Sequence, residues 1–121
     1  MTNRVVHFEV VGPDGTALKQ FYAGVFGWQI DSGNPMDYGM VAAPEQGPGI
    51  GGGISASADG ASSYATFYVA VDDPQATLDA AVAAGGSVVM GVTEIPDVVT
   101  LAQFRDPAGN LIGLIRASPP S

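Results

Sequence analysis

The chain has 121 residues, enough for one domain with a buried core, and 46% of them are hydrophobic, which argues against disorder. Its formal net charge is −8, and its four basic residues are scattered along the chain, so we expect neither nucleic acid nor an anionic membrane surface as a partner. The absence of cysteine excludes disulfides, thiolate nucleophiles and sulfur metal ligands.

Targeting and membrane signals are also missing from the sequence. The N-terminal residues contain no apolar segment of the kind found in secretory signals. No apolar run approaches the roughly 20 residues that cross a bilayer. We therefore expect a soluble, cytoplasmic protein. Solubility is the simpler explanation of its acidity, and a cationic ligand is the alternative.

The first half of the chain predicts one strand, one helix and three short strands. Alternation over residues 5–11 indicates a strand with Phe8 on one face and with His7 and Glu9 on the other. An apolar stripe predicts a helix over 16–26, with Asp14 as its N-cap and Gly27 as its left-handed C-terminal residue. Short strands are expected at 28–31, 38–43 and 50–55.

The second half repeats this order after a small, polar linker at 55–63. We expect a strand at 64–71 and then a helix that begins at Asp73 and Pro74 and ends near residue 84. Its inward residues are predicted to be Leu78, Ala81 and Val82. Strands follow at 87–92, 98–105 and 111–116, a tight turn at 106–110 joins the last two, and residues 118–121 are expected to fray.

The restart has a fixed offset, which indicates an internal repeat. Three pairs of matching residues lie 59 positions apart: His7 and Thr66, Asp14 and Asp73, and Gly27 and Gly86. Two βαβββ modules therefore account for nearly the whole chain. We expect them to form a single domain over residues 1–121, with module one at about 4–56 and module two at about 62–117.

Three segments carry a resemblance to a known superfamily. They are Val-His-Phe-Glu-Val at 6–10 with Phe-Tyr-Ala-Gly-Val-Phe-Gly-Trp at 21–28, Gly-Ile-Gly-Gly-Gly-Ile at 49–54, and the 104–114 hairpin around Asp-Pro-Ala-Gly-Asn. Over residues 4–116 the chain resembles the glyoxalase/bleomycin-resistance/dioxygenase (vicinal oxygen chelate) superfamily. The resemblance implies an α+β, glyoxalase-like fold in which two βαβββ modules form a cleft lined by both curled sheets.

Metal-dependent members of that superfamily place four ligands in the cleft, one each on the first and last strand of each module. Carried over to this chain, the positions fall at His7, in the glycine run 51–53, at Thr66 and at Gly113. Of these, His7 alone is a suitable donor, whereas a catalytic site typically needs at least three protein donors. We therefore expect no bound metal and no other cofactor.

Strand alternation together with the resemblance predicts a small-molecule site in the cleft. Its wall is aromatic and aliphatic with a few polar groups, as small-molecule pockets usually are. Gln103 precedes the Asp-Pro turn at a position that is polar and cleft-facing in the resembling dioxygenases. The predicted ligand-binding residues are His7, Glu9, Tyr64, Thr66, Tyr68, Leu101, Gln103 and Leu111.

Several of these residues also have a purely structural interpretation. On composition alone His7 is better explained as a buried, hydrogen-bonded imidazole, whereas the resemblance favours a role in the cleft. Glu9 is equally explained as a solvated rim residue, and the tyrosines as packing residues. Trp28 is better explained as a core residue, and Asp106 and Asn110 as turn residues. The glycine run 51–53 is explained by close packing of strands or subunits, or by the approach of a ligand.

Two main functions fit these residues, and the sequence does not decide between them. The first is a metal-independent protein that sequesters an aromatic or cationic compound such as an antibiotic, acting as a homodimer. The second is a lyase, isomerase, cyclase or dioxygenase-type enzyme with His7 or Glu9 as general base and Gln103 or a tyrosine hydroxyl at an enolate-like oxygen. A structural partner protein with an unused cleft is a third. Because His7 is the only histidine, ligand affinity is expected to change between about pH 5 and 8.

Overall fold

The computed structural model describes residues 3–116, which form eight strands and two helices. The first five elements are β1 (Arg4–Gly12), α1 (Gly15–Phe26), β2 (Ile30–Asp31), β3 (Gly39–Val41) and β4 (Gly51–Ala56). The second five are β5 (Tyr64–Val71), α2 (Pro74–Ala83), β6 (Ser87–Ile95), β7 (Val99–Arg105) and β8 (Leu111–Arg116). This is the α+β order of two βαβββ modules that the sequence predicts.

The chain divides into two compact units, and the first comprises His7–Thr66. Within it the strands are ordered β2-β3-β4-β1, and β1 pairs in parallel with β4. In that ladder His7 lies opposite Gly51 and Glu9 lies opposite Gly53. The ladder therefore places the glycine run directly beside the residues that the sequence analysis assigns to a site.

The second unit comprises the described residues before His7 and after Thr66. Its strands are ordered β5-β8-β7-β6, and Tyr68 on β5 lies opposite Gly113 on β8. A core of Val71, Leu78, Ala102 and Leu114 is packed beneath α2, with Val69 and Phe104 against it. The expectation that both modules form a single domain over residues 1–121 remains a prediction, and the end of module two falls outside the described residues.

Helix boundaries follow from capping. The carboxylates of Asp14 and Asp73 accept hydrogen bonds from the backbone N–H of Ala17 and Ala76, as N-caps do. Gly27 takes the left-handed conformation with φ 71°, as predicted for the end of α1. The helix α2 ends at Ala83 with Ala84 as its C-cap, and the left-handed glycine that follows is Gly85, with φ 104°.

Other differences concern strand lengths and helix faces. The strands β2 and β3 are shorter than predicted, because pairing covers only two and three residues. Leu78 is buried as expected, whereas Val82 is 49% exposed and so does not face inward. Neither helix within residues 3–116 is long and apolar enough to cross a membrane. The predicted frayed tail at 118–121 lies outside the described residues.

Candidate functional site

The pleat of β1 sends alternate side chains to opposite faces. Phe8 packs on Trp28, with ring centroids 5.2 Å apart, and Trp28 in turn stacks on Tyr22 of α1. Trp28 therefore belongs to an aromatic cluster beside the helix, in agreement with its interpretation as a packing residue. His7 and Glu9 lie on the other face of the strand.

A residue that the sequence analysis did not select, Tyr38, joins His7 to Glu9. Its hydroxyl oxygen lies 2.8 Å from Nε2 of His7, and the same hydroxyl donates a hydrogen bond of 2.9 Å to Oε2 of Glu9. The rings of His7 and Tyr38 are nearly parallel, at 18°, with centroids 6.1 Å apart. The second carboxylate oxygen, Oε1, accepts a longer bond of 3.3 Å from Tyr64. We call His7, Glu9, Tyr38 and Tyr64 the His7 cluster.

The glycine run explains how Tyr38 reaches this position. A Cβ atom at Gly53 would overlap the ring of Tyr38, and a Cβ atom at Gly52 would overlap the ring of Phe8. Because Gly53 lies opposite Glu9, the phenol lies over the glycine with its hydroxyl at the carboxylate. Gly52 and Gly53 thus accommodate rings of the same chain, which is close packing within the unit.

The loop that carries Tyr38 is anchored at both of its sides. The side-chain oxygen of Asn34 accepts hydrogen bonds from the backbone N–H of Met36 and Tyr38, and its Nδ2 donates to the carbonyl of Tyr38 at 2.7 Å. Lys19 of α1 donates to the carbonyl of Asp37 at 2.7 Å and forms an ion pair of 3.3 Å with its carboxylate. These contacts fix the backbone from which the phenol projects.

Burial sets the charge state of His7. It lowers the pKa of the imidazole below its ordinary value, because water solvates the imidazolium better than a half-buried site does, while the nearby Glu9 carboxylate acts in the opposite direction. The net lowering favours a neutral His7 at pH 7. A neutral imidazole has one donor nitrogen and one acceptor nitrogen, which suits it to proton transfer.

A second tyrosine lies over a glycine in the other unit. A Cβ atom at Gly113 would overlap the ring of Tyr68, and Nε2 of Gln103 donates a hydrogen bond of 3.0 Å to the Tyr68 hydroxyl. Gln103 lies opposite Gly113, and Leu101 lies opposite Ile115 on the same pair of strands, while Leu111 begins β8 opposite Arg105. Strand alternation gives Leu101, Gln103, Leu111 and Gly113 one common face.

The predicted site residues thus fall in two groups. His7, Glu9, Tyr64 and Thr66 belong to the first unit, where Thr66 is buried at 9% exposure. Tyr68, Leu101, Gln103 and Leu111 belong to the second. Sequence reasoning missed Tyr38, although two signals were available: a glycine opposite Glu9, and an asparagine placed to cap the loop before Tyr38.

The residues do not fit a divalent metal. Tyrosine rings fill the space above Gly53 and Gly113, the positions where last-strand ligands would project. Thr66 is a weak ligand, and within residues 3–116 no group of three or more His, Cys, Asp or Glu side chains could hold a metal ion.

The first unit also contains a pocket of about 600 Å³ that shares Tyr64 with the His7 cluster. It is lined by the end of β1, the first half of α1 and residues 63–65, and its single charged group, Asp14, already caps the helix. It does not include His7, Glu9 or Tyr38. The hydrogen-bonded polar groups, and not this largely apolar pocket, therefore define the candidate site.

Comparison with known proteins identifies the family. The Glyoxalase/Bleomycin resistance protein/Dioxygenase superfamily matches residues 4–114, so the chain belongs to this superfamily. CFP32 of Mycobacterium bovis, named as a candidate glyoxylase, is 32% identical over 118 residues, covering 87% of this chain. The anthracycline biosynthesis protein DnrV of Streptomyces peucetius is 28% identical over 129 residues, covering 84%. The chain spans 42% of the length of each of these relatives.

Solved structures show the same fold at low sequence identity. Methylmalonyl-CoA epimerase of Streptomyces coelicolor, in complex with 2-nitronate-propionyl-CoA, matches with a TM-score of 0.65 at 14% identity over 98% of this chain and 100% of that chain. A superfamily member from Vibrio splendidus matches with a TM-score of 0.59 at 18% identity over 96% of this chain and 100% of that chain. These matches confirm the glyoxalase-like fold predicted from the sequence.

The Tyr38–Gly53 contact predicts opposite effects for two glycine-to-alanine substitutions. Gly53→Ala places a methyl group into the Tyr38 ring and should lower the free energy of unfolding by about 1–3 kcal/mol, as overpacking does. Gly24→Ala is the control: it lies in α1 with open space around it, and should raise stability by about 0.5–1 kcal/mol. Urea denaturation measures both. Equal effects of the two substitutions would contradict the contact.

His7 predicts a pH dependence of stability with a defined sign. Because its pKa is lower in the folded than in the unfolded chain, the folded chain binds fewer protons just below pH 6.5. The free energy of unfolding should therefore fall as the pH decreases from about 7 to about 5.5, a window above the titration of most carboxylates. His7→Gln should flatten this part of the curve in urea denaturation. An unchanged slope would show that His7 is not the group responsible.

Proposed function

We propose that this chain is a metal-independent small-molecule-binding protein of its superfamily, and that the His7 cluster contacts the ligand. The observation that carries the proposal is the pair of tyrosines over Gly53 and Gly113. In each unit an aromatic ring with a hydrogen-bonded hydroxyl takes the place from which a last-strand metal ligand would project. In this chain, phenolic hydroxyls therefore lie where metal-dependent members of the superfamily bind a metal ion.

The chemistry of these groups favours an aromatic ligand with a polar substituent. Tyr38 and the His7 ring provide flat surfaces for stacking, and their polar atoms can fix the orientation of a bound compound. Thr66, Tyr68, Leu101, Gln103 and Leu111 are proposed to contact the ligand as well. A cationic aromatic compound, such as an antibiotic, is the narrower form of the proposal, since the chain carries a net charge of −8.

The relatives are consistent with small aromatic or acyl compounds as ligands. DnrV is named for anthracycline biosynthesis, and the structural neighbours include an epimerase in complex with a CoA ester. The chain spans only 42% of the length of DnrV. A ligand or activity like that of DnrV is therefore a proposal for this chain. We also propose that it acts in the cytoplasm.

An enzyme that transfers protons is the second candidate function, and His7 is the observation that favours it. A neutral imidazole in contact with a phenol, which in turn contacts a carboxylate, has the composition of a general-base site. In this alternative the reaction is a lyase, isomerase, cyclase or dioxygenase-type conversion with His7 or Glu9 as base.

A thermal-shift panel tests the binding proposal. Uncharged and cationic aromatic compounds should raise the melting temperature, because a ligand that binds only the folded state stabilises it by mass action. Zinc, nickel and manganese salts at the same concentrations should not. Tyr38→Phe keeps the ring and removes the hydroxyl, and should weaken the shift more than Tyr22→Phe, whose ring packs beside α1. Stabilisation by metals alone would contradict the proposal.

We further propose that the protein is a homodimer, and that the exposed face of α1 contributes to the contact. Phe21, Val25 and Phe26 are 57%, 56% and 58% exposed, and adjacent apolar residues of this kind are typical of protein interfaces. Sedimentation velocity at micromolar concentration should give a dimer, and Phe21→Glu should shift the distribution toward monomer. A wild-type monomer at all concentrations would exclude it.

A further inference from the structure

We propose that α1 packs antiparallel against α1 of a second copy of this chain, around a two-fold axis that passes beside Phe21. The inference rests on the proposed homodimer and deepens it, because it names the residues that meet and the direction in which the two helices run. It also gives a role to the apolar pocket beside α1, which the His7 cluster does not use.

The exposed side of α1 has the residue spacing of a helix–helix contact. Ala17, Phe21, Gly24 and Val25 are exposed, and Leu18 beside them is half-buried. Steps of three and four residues bring all five to one side of a helix. We call these five residues the α1 stripe. It is an apolar surface that the first unit itself leaves largely open to solvent.

Gly24 is a gap in the α1 stripe that contacts within the chain do not explain. It lies inside the helix, and a Cβ atom added there would meet no atom within 4 Å. Glycine weakens a helix interior, because it loses more backbone freedom on folding than alanine does. A residue without a side chain does, however, let a second helix approach closely. The close approach of another helix therefore accounts for a glycine at this position.

The order of large and small residues selects the antiparallel direction. With the axis beside Phe21, each residue meets the one that lies equally far beyond Phe21 on the other copy. Ala17 then meets Val25, and Gly24 meets Leu18, so that a small residue opposes a large one at each level and the helices interdigitate. In a parallel pair Leu18 would meet Leu18 and Gly24 would meet Gly24. Antiparallel helix dipoles also attract each other.

The apolar pocket can receive the ring that lies beside the axis. Phe21 is 57% exposed, and together with Leu18 and Tyr22 it lines this pocket of about 600 Å³. In a two-fold contact Phe21 of each copy projects toward the pocket of the other, which removes both rings from water. The projecting ring and the hollow that accepts it lie on the same helix. This self-complementarity identifies the partner as a second copy of the chain.

Charge favours the same surface. Two copies with a net charge of −8 each repel one another on average. The single charged residue of α1 is Lys19, which forms an ion pair with Asp37 on another side of the helix. Asp14 lines the pocket but lies about one turn before Ala17, outside the α1 stripe. Two copies can therefore meet along the stripe without placing carboxylates opposite one another.

Engineered disulfides test the direction of the contact, and the chain suits them because it has no cysteine. The double variant Ala17→Cys/Val25→Cys should form covalent dimers on mild oxidation, since these positions meet twice across the axis. Each single variant is a matched control and should remain monomeric on a non-reducing gel. Eight residues span about 12 Å along a helix, whereas a disulfide needs Cα atoms within about 7 Å. The same separation prevents a bond within one helix.

A second pair of variants tests how closely the helices approach. Gly24→Leu in the double-cysteine background extends into open space in the single chain but meets Leu18 of the second copy. It should keep the far-ultraviolet circular dichroism of the wild type and lower the yield of covalent dimer about tenfold, as overpacking of a close contact does. Thr16→Leu is the control, because Thr16 is exposed and faces away from Phe21. Equal yields from the two variants would contradict the close approach.

The outcomes separate this contact from the proposed homodimer. Single-cysteine variants that cross-link as well as the double variant would mean a parallel or random encounter. A dimer in sedimentation velocity that the double variant fails to cross-link would place the interface elsewhere. Either result overturns the α1 contact and leaves the homodimer standing. A wild-type monomer at all concentrations, without cross-linking of the double variant, overturns both.

Discussion

The Tyr38 phenol, held between His7 and Glu9 above a glycine, is the contact on which the first unit's chemistry depends. It requires Gly53, because any side chain there would occupy the space of the ring. It requires the Asn34 and Lys19 contacts, which hold the loop that carries it. Its hydroxyl oxygen also lies 2.8 Å from Nε2 of His7. The Tyr38 side chain therefore contacts both the backbone of the β1–β4 ladder, at Gly53, and the titratable groups of His7 and Glu9.

The second unit arrives at a related arrangement with different residues. Tyr68 lies over Gly113 as Tyr38 lies over Gly53, but its hydroxyl contacts an amide, Gln103, which neither gains nor loses a proton near neutrality. The two tyrosines are not repeat partners, since the residue 59 positions before Tyr68 is Glu9. Each unit thus has a glycine beneath a tyrosine ring, but the ring comes from a loop in the first unit and from strand β5 in the second.

The sequence predicts features that depend on neighbouring residues, such as strand faces and helix caps. It does not predict contacts between residues that are far apart in the sequence. Alternation placed His7 and Glu9 on one face, and Asp14, Asp73 and Gly27 follow from capping rules that act within a few residues. Tyr38 is 31 residues from His7 and lies in a loop, so no periodicity selects it. The glycine run was recognised as unusual, yet whether a strand, a subunit, a ligand or a ring fills the space depends on packing that a sequence pattern does not encode.

Neutron diffraction from a crystal grown near pH 7 tests the central claim most directly, because it locates hydrogen atoms. The account predicts the Tyr38 ring above Gly53, one deuterium on the phenol oxygen directed to Oε2 of Glu9, and one on Nε2 of His7 directed to the phenol. A phenolic deuterium directed to His7, or a Tyr38 ring displaced from Gly53, would contradict it.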